Sequence, residues 1–351
     1  MNNLERIEEL RRTTKLPHED MAALISTISD EEAKVLYKNA REVREKYYGK
    51  DVYLRGLIEF TNNCKNNCYY CGIRRGNEKA ERYRLSLDDI LACCKTGYEM
   101  GYRTFVLQGG EDPYFTDERM AEIVRAIKEK YPDCAITLSV GEKEKETYAL
   151  WKEAGADRYL LRHETINPAH YSKLHPAELS IAHRVQCLYD LHDLGYQVGC
   201  GMMIGSPYQT IDNLVEDIEF MHGFQPEMAG IGPFIPHKDT PFRDQPAGTL
   251  KDTLHLLAIL RLSMPQVLLP ATTALGTIHP QGREMGLLAG ANVIMPNLSP
   301  TGVRDKYMLY NGKICTDESA SLCANCMERR VSSTGYQIKV SRGDCVKVSG
   351  N

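Results

Sequence analysis

Three cysteines stand close enough in the chain to share one inorganic centre. The segment TNNCKNNCYYCGIRRGN places Cys64, Cys68 and Cys71 in a CxxxCxxC spacing. Iron–sulfur clusters are held by cysteine thiolates, normally four, so three thiolates around a cubane leave one iron open to a non-protein group. Zinc is the alternative occupant of such a loop. Structural zinc is usually closed by four protein ligands, however, and no fourth Cys or His follows before Cys93. A second group, Cys315, Cys323 and Cys326, lies near the C-terminus; it could hold a metal cluster, a zinc ion completed by Cys345, or no metal. The scattered Cys93, Cys94, Cys134, Cys187 and Cys200 read as small buried hydrophobes. No HExxH and no carboxylate–His–Ser arrangement supports hydrolysis, and His237 and His279 read as structural.

Composition narrows the partners. The 351 residues carry 43 basic and 47 acidic side chains, a net charge of -4, with no block of like charge. That balance argues against nucleic-acid and membrane-surface binding and favours a small-molecule or protein partner. The charged start, MNNLERIEELRRTTKL, lacks the apolar core of a signal peptide, and no run approaches a membrane span. A soluble, cytoplasmic protein is expected. In a reducing compartment, twelve cysteines point first to metal ligation rather than to disulfides.

Elements must bring these residues together. Residues 19–48 have helical periodicity, with Asp30 as N-cap and Gly49 as terminator, so 1–50 is read as an N-terminal helical extension. Beyond it, apolar runs at 52–60, 104–108, 135–140, 158–163, 197–204, 228–235, 267–274 and 292–297 alternate with amphipathic helical stretches. Eight βα units predict an α/β fold, a complete (β/α)8 TIM-type barrel over 51–300, with an open doubly wound sheet as the alternative. Gly101, Gly155, Gly195 and Gly290 stand where helices should end. Residues 301–351 are read as a separate C-terminal segment. Parallel barrels build their sites at C-terminal strand ends. That rule selects the cysteine loop, Gln108-Gly109-Gly110-Glu111, Ser139, Arg162 to Glu164, Gly205 to Thr210, His237, and Thr272-Thr273.

The pattern CxxxCxΦC, with Tyr70 as the aromatic residue after a first strand, resembles the signature of the radical S-adenosylmethionine (SAM) superfamily. The resemblance implies a [4Fe–4S] cluster whose open iron is chelated by SAM, with one electron cleaving SAM to a 5′-deoxyadenosyl radical. Gly109-Gly110-Glu111 resembles the superfamily's GGE element, Glu164 and Arg184 resemble its SAM-binding carboxylate and cation, and GMMIGSP at 201–207 resembles its adenine-flanking element. Read alone, GGE is more often a turn and Arg184 a helix-surface residue.

Longer stretches, IEFTNNCKNNCYYCGIRRGN, VLQGGEDPY, EAGADRYLLRHETINP, GIGPFIPH, PATTALGTI and GANVIMPN among them, resemble the HydE family of [FeFe]-hydrogenase maturases over most of residues 50 to 326. This implies a role in H-cluster assembly on a cysteine-bound iron carbonyl–cyanide precursor, alongside an electron donor and other hydrogenase maturases. It implies SAM binding by Tyr70, Gln108, Ser139, Glu164 and Arg184, and substrate or anion binding by Arg55, Arg162, Thr272 and Thr273. For Arg55 the plainer reading is an ion pair with Glu59 or Glu111, and for the threonines barrel filling. Some family members carry the Cys315, Cys323, Cys326 spacing around an auxiliary [2Fe–2S] or [4Fe–4S] cluster. Competing readings are a methylornithine synthase-like mutase, a biotin synthase-like sulfur inserter, or a non-catalytic iron–sulfur carrier.

Overall fold

The protein is described from a computed structural model covering residues 1–317 and 320–347, the side chains of 320–325 excepted. Three helices, Asn3–Thr13, His18–Thr27 and Asp30–Tyr48, open the chain and pack against the helix Leu250–Ser263. The third is capped by Ser29 rather than by the expected Asp30. The Ser29 hydroxyl accepts from the Glu32 N–H while the Glu32 carboxylate accepts from the Ser29 N–H, a reciprocal box that an Asp one residue later cannot form. Gly49 ends this helix with φ +54°, as its position predicts.

Eleven strands follow: β1 (Asp51–Leu54), β2 (Gly56–Thr61), β3 (Thr104–Gly109), β4 (Ala135–Ser139), β5 (Arg158–Leu160), β6 (Gln197–Cys200), β7 (Met203–Ile204), β8 (Met228–Ala229), β9 (Gly232–Pro233), β10 (Val293–Ile294) and β11 (Gln337–Lys339). Six form one wholly parallel sheet in the order β2-β3-β4-β5-β6-β8. Its strands are buried on both faces, Ile58, Phe105, Leu107, Ile136 and Leu138 being fully covered, because helices wrap the outside while side chains fill the inside. Four of the helices, Leu87–Glu99, Lys145–Glu153, Ile181–Asp193 and Gly282–Leu288, end near a glycine with positive φ, at Gly101, Gly155, Gly195 and Gly290.

Pairing continues past β8 as single parallel bridges, Met228 with Leu268, Pro270 with Val293, and Asn297 with Leu57 of β2. The expected strand at 267–274 is therefore not a regular one. Pro270 has no N–H to donate, and at Thr272 the chain turns into the helix Thr273–Ile278, the Thr272 hydroxyl accepting from the Leu275 N–H. The first predicted strand is split at Arg55 into β1 and β2.

Described residues after 300 extend the β-structure at the N-terminal strand ends. β11 pairs in parallel with β1, Asp51 opposite Gln337. The following turn covers the N-terminal strand ends, where Arg158 Nη2 donates to Asp344 at 2.6 Å and to the Arg342 carbonyl at 2.7 Å.

Candidate active site

At the opposite, C-terminal end of the sheet, β2 runs into the cysteine loop, whose backbone has no strand ladder to satisfy it. Side chains do that instead. Asn62 Nδ2 donates to the carbonyls of Glu81 and Lys306, and its Oδ1 accepts from the Tyr83 N–H. The Arg82 guanidinium donates to the carbonyls of Asn62, Ile73, Arg74 and Asn77, drawing both ends of the loop together. A Cβ on Gly110 would stand 2.2 Å from the Asn63 carbonyl and 2.7 Å from Cys64 Cβ, so the turn after β3 touches the loop through bare backbone.

Cys64, Cys68 and Cys71 are half-buried and free. Backbone N–H groups of Asn66 and Glu111 point at the Cys64 sulfur, and that of Ile73 at the Cys71 sulfur. Burial pushes all three thiols up, Cys71 to about 12, and neighbouring cysteines add to the rise at Cys68 and Cys71. Ionising three such thiols requires positive charge between them. Among the described residues they are not gathered within 4.8 Å of one another, as a single metal ion would require. A cubane, which gives each sulfur its own iron, suits three donors spread wider than that.

A cavity of about 250 Å³ opens beside the loop. Tyr70 and Cys71 line one side, Gln108, Arg162 and Glu164 another, and Thr272 and Thr273 a third. Leu57, Leu160, Met203, Met228 and Met295 supply apolar wall. Arg162 Nη2 lies 2.9 Å from Glu164 Oε2 and donates to the Met202 carbonyl. Yet Glu164 Oε2 and Arg162 Nε are buried without a hydrogen bond of good geometry, and Glu164 is held at φ +66°. Apart from the Arg162 ion pair, Glu164 Oε2 has no hydrogen-bond partner, so it keeps acceptor capacity on the cavity wall.

Residues 58–221 match the radical SAM superfamily. Over 302 residues the chain is 47% identical to the [FeFe] hydrogenase maturase subunit HydE of Thermotoga maritima, with 86% of each chain covered. This chain belongs to the radical SAM superfamily. It is 32% identical over 289 residues to the 3-methylornithine synthase of Methanosarcina acetivorans, covering 82% of this chain and 81% of that one. The crystal structure of methylornithine synthase superposes with a TM-score of 0.84 at 28% identity, over 95% of this chain and 97% of that one. HydG, a maturase of the [FeFe]-hydrogenase, shares the fold at a TM-score of 0.81 and 20% identity, over 96% and 76%. Membership of the superfamily implies a [4Fe–4S] cluster and SAM, and the three thiols, the N–H groups aimed at them and the Glu164 carboxylate on the cavity wall fit that pair.

The other expected residues of this radical SAM enzyme divide into those near the cavity and those away from it. Arg184 stands behind the cysteine loop, its Nε donating to the Tyr171 hydroxyl at 3.3 Å and lying 3.2 Å from Glu142 Oε1; its charge reaches Cys68 and Tyr70. Gly109, Gly110, Glu111 and Ser139 sit at the ends of β3 and β4 without lining the cavity. Arg55 stands apart from the cavity lining. It is buried at the N-terminal end of the barrel, Nη1 2.9 Å from Met228 Sδ and Nη2 3.4 Å from the Gly343 carbonyl, far along the strand from the cysteine loop. Nor does it pair with Glu59 or Glu111. Glu59 instead takes Lys313 Nζ at 2.6 and 2.7 Å and Asn297 Nδ2 at 2.8 Å, an ion pair on the cavity wall.

That pair escaped the sequence reading. A glutamate inside the apolar run LIEF is a visible oddity, but nothing in the tail marks Lys313 as its partner. Cys315 Sγ lies 3.8 Å from Arg283 Nη2 and Cys326 Sγ 3.4 Å from Arg330 Nε. Cys323 falls in the helix Ala320–Ser333, and its side chain lies outside the described part of the structure. Cys345 does not complete a tail site, being wholly buried among Tyr48, Met228, Leu268 and Val293 with its thiol directed at the Gln266 carbonyl.

Proposed function

We propose that this radical SAM enzyme acts in assembly of the [FeFe]-hydrogenase H-cluster, on a cysteine-bound iron carbonyl–cyanide precursor supplied by a partner maturase. The observation that carries the reading is one continuous cavity, bounded by the cysteine loop at one side and by Arg162, Thr272 and Thr273 at another. Identity of 47% to a HydE subunit along most of both chains supports it. The parallel bridges from β8 through residues 268, 270 and 293 to β2 support a complete eight-unit barrel over 51–300 around that cavity, flanked by the 1–50 and 301–351 segments.

When bound, the [4Fe–4S] cluster and SAM supply one electron and a 5′-deoxyadenosyl radical. In this reading Cys64, Cys68 and Cys71 hold the cluster. Glu164 Oε2 accepts from SAM's donors, while Tyr70, Gln108, Ser139 and Arg184 frame it. The backbone of Gly109, Gly110 and Glu111 allows close approach. Arg162, with a planar fork only partly satisfied, and the hydroxyls of Thr272 and Thr273 bind the anionic end of the substrate. The apolar wall excludes bulk solvent and confines what can approach the reacting centre. Cys315, Cys323 and Cys326 hold an auxiliary cluster outside the cavity.

Anaerobic reconstitution followed by EPR with and without SAM, and assay of 5′-deoxyadenosine after reduction, tests the core of this reading. Cys64→Ala, Cys68→Ala and Cys71→Ala each should lose the SAM-responsive signal and the product; Cys315→Ser should keep both. A second reading, an amino-acid mutase, draws on the 32% identity to 3-methylornithine synthase and the TM-score of 0.84. Formation of 3-methylornithine by the reconstituted enzyme would favour it over the maturase reading.

A further inference from the structure

Among the described residues outside the cavity, one cluster of side chains has the composition of a metal site. Helix Ile181–Asp193 presents His183 and Cys187 one turn apart, and the loop after β4 brings Glu142 to them. One ligand atom from each lies within 4.8 Å of the other two. His183 Nε2 is 3.8 Å from Cys187 Sγ and 3.6 Å from Glu142 Oε2. Tetrahedral zinc, with bonds of about 2.3 Å to sulfur and about 2.0 Å to nitrogen and oxygen, sets these two separations at about 3.5 and about 3.3 Å. The two His183 separations are within a few tenths of an ångström of these values, and the third, from Cys187 Sγ to the Glu142 carboxylate, lies within 4.8 Å.

We infer that Glu142, His183 and Cys187 bind a divalent transition ion of the zinc type, a site separate from the iron–sulfur cysteines. The donor set, one thiolate, one imidazole and one carboxylate, is of borderline softness, which suits zinc over magnesium or calcium. Glu142 is 8% exposed, and its Oε1 faces Arg184 at 3.2 Å while Oε2 faces His183. A carboxylate held from behind by an arginine is the supported ligand that metal sites use. His183, half exposed on its side chain, gives the ion a way in and leaves the fourth position to water. Binding converts the Cys187 thiol to a thiolate and releases one proton to solvent.

The test uses the cluster-reconstituted enzyme, loaded with zinc, freed of loose metal and counted by elemental analysis beside Cys187→Ser and His183→Ala. Surface His183 can be replaced without disturbing the core, so it guards against misfolding of the Cys187 variant. The expected result is one zinc per chain in the parent that is lost in both variants, with iron content unchanged. Equal zinc in parent and His183→Ala would overturn the inference.

Discussion

Gly110 carries a requirement no side chain can share. Any Cβ there meets the Asn63 carbonyl at 2.2 Å, which is backbone and cannot swing aside. Gly110→Ala is therefore expected to push the cysteine loop off the β3 turn. The measurement is iron per chain after reconstitution, which should fall severalfold while far-ultraviolet circular dichroism stays near parental; full iron loading would refute the packing argument. The buried Glu59–Lys313 pair makes a different demand. Lys313→Met leaves a carboxylate that is 1% exposed with Asn297 as its partner. Breaking such a pair from one side typically costs about 3–5 kcal/mol, whereas removing both charges is close to neutral. Urea unfolding should show Lys313→Met strongly destabilised and Glu59→Leu with Lys313→Met restored most of the way. A double variant as weak as the single would mean the charges are needed for more than each other.

Among the elements, the helix Pro168–Leu174 and the residue after it fix Tyr70. His175 Nδ1 donates to the Tyr171 carbonyl, and in the neutral ring Nε2 accepts from the Tyr70 hydroxyl at 3.1 Å. Burial, reinforced by the charge of Arg184, lowers His175 to about 3. The unfolded chain protonates near 6.5. A depressed folded value means the stabilisation is fully present above pH 6.5 and is lost as pH falls toward 3, because only the unfolded state takes the proton. Between pH 7 and pH 5.5 this amounts to about 1 kcal/mol. Comparing urea midpoints of parent and His175→Gln across that interval should show a smaller pH slope in the variant; identical slopes would remove His175 as the source.

At the scale of the molecule, residues 337–345 cover the N-terminal strand ends while the cysteine loop occupies the opposite end. Arg158, 3% exposed, depends on Asp344 and the Arg342 carbonyl for its charge-assisted bonds. Ending the chain after Gly335 removes both, together with the strand that pairs with β1. The expected outcome is a loss of several kcal/mol in thermal or urea unfolding, in the range typical of an orphaned buried charge. Arg158→Met in the shortened chain should recover part of it. Among the described residues no helix is long and apolar enough to cross a membrane.

How much of this was written in the chain depends on how local the information is. The cysteine loop, the GGE turn, the alternation of apolar runs with helices and the glycines that end those helices are encoded within a few residues each, so the superfamily and the parallel sheet were legible before any coordinates. The irregular pairing at 267–274 was half legible, since Pro270 announces a missing donor, but the turn into a helix at Thr272 rests on a cap that only backbone geometry reveals. Residues joined across the barrel were not legible. Lys313 reaches Glu59 over 254 positions, Asp344 reaches Arg158 over 186, and Arg55 lies far from the cysteine loop because β2 runs the length between them. Sequence spacing determines which residues share a turn or a strand face; which distant charges meet in a low-dielectric interior is decided by how the whole sheet curls, and that is a property of the tertiary structure alone.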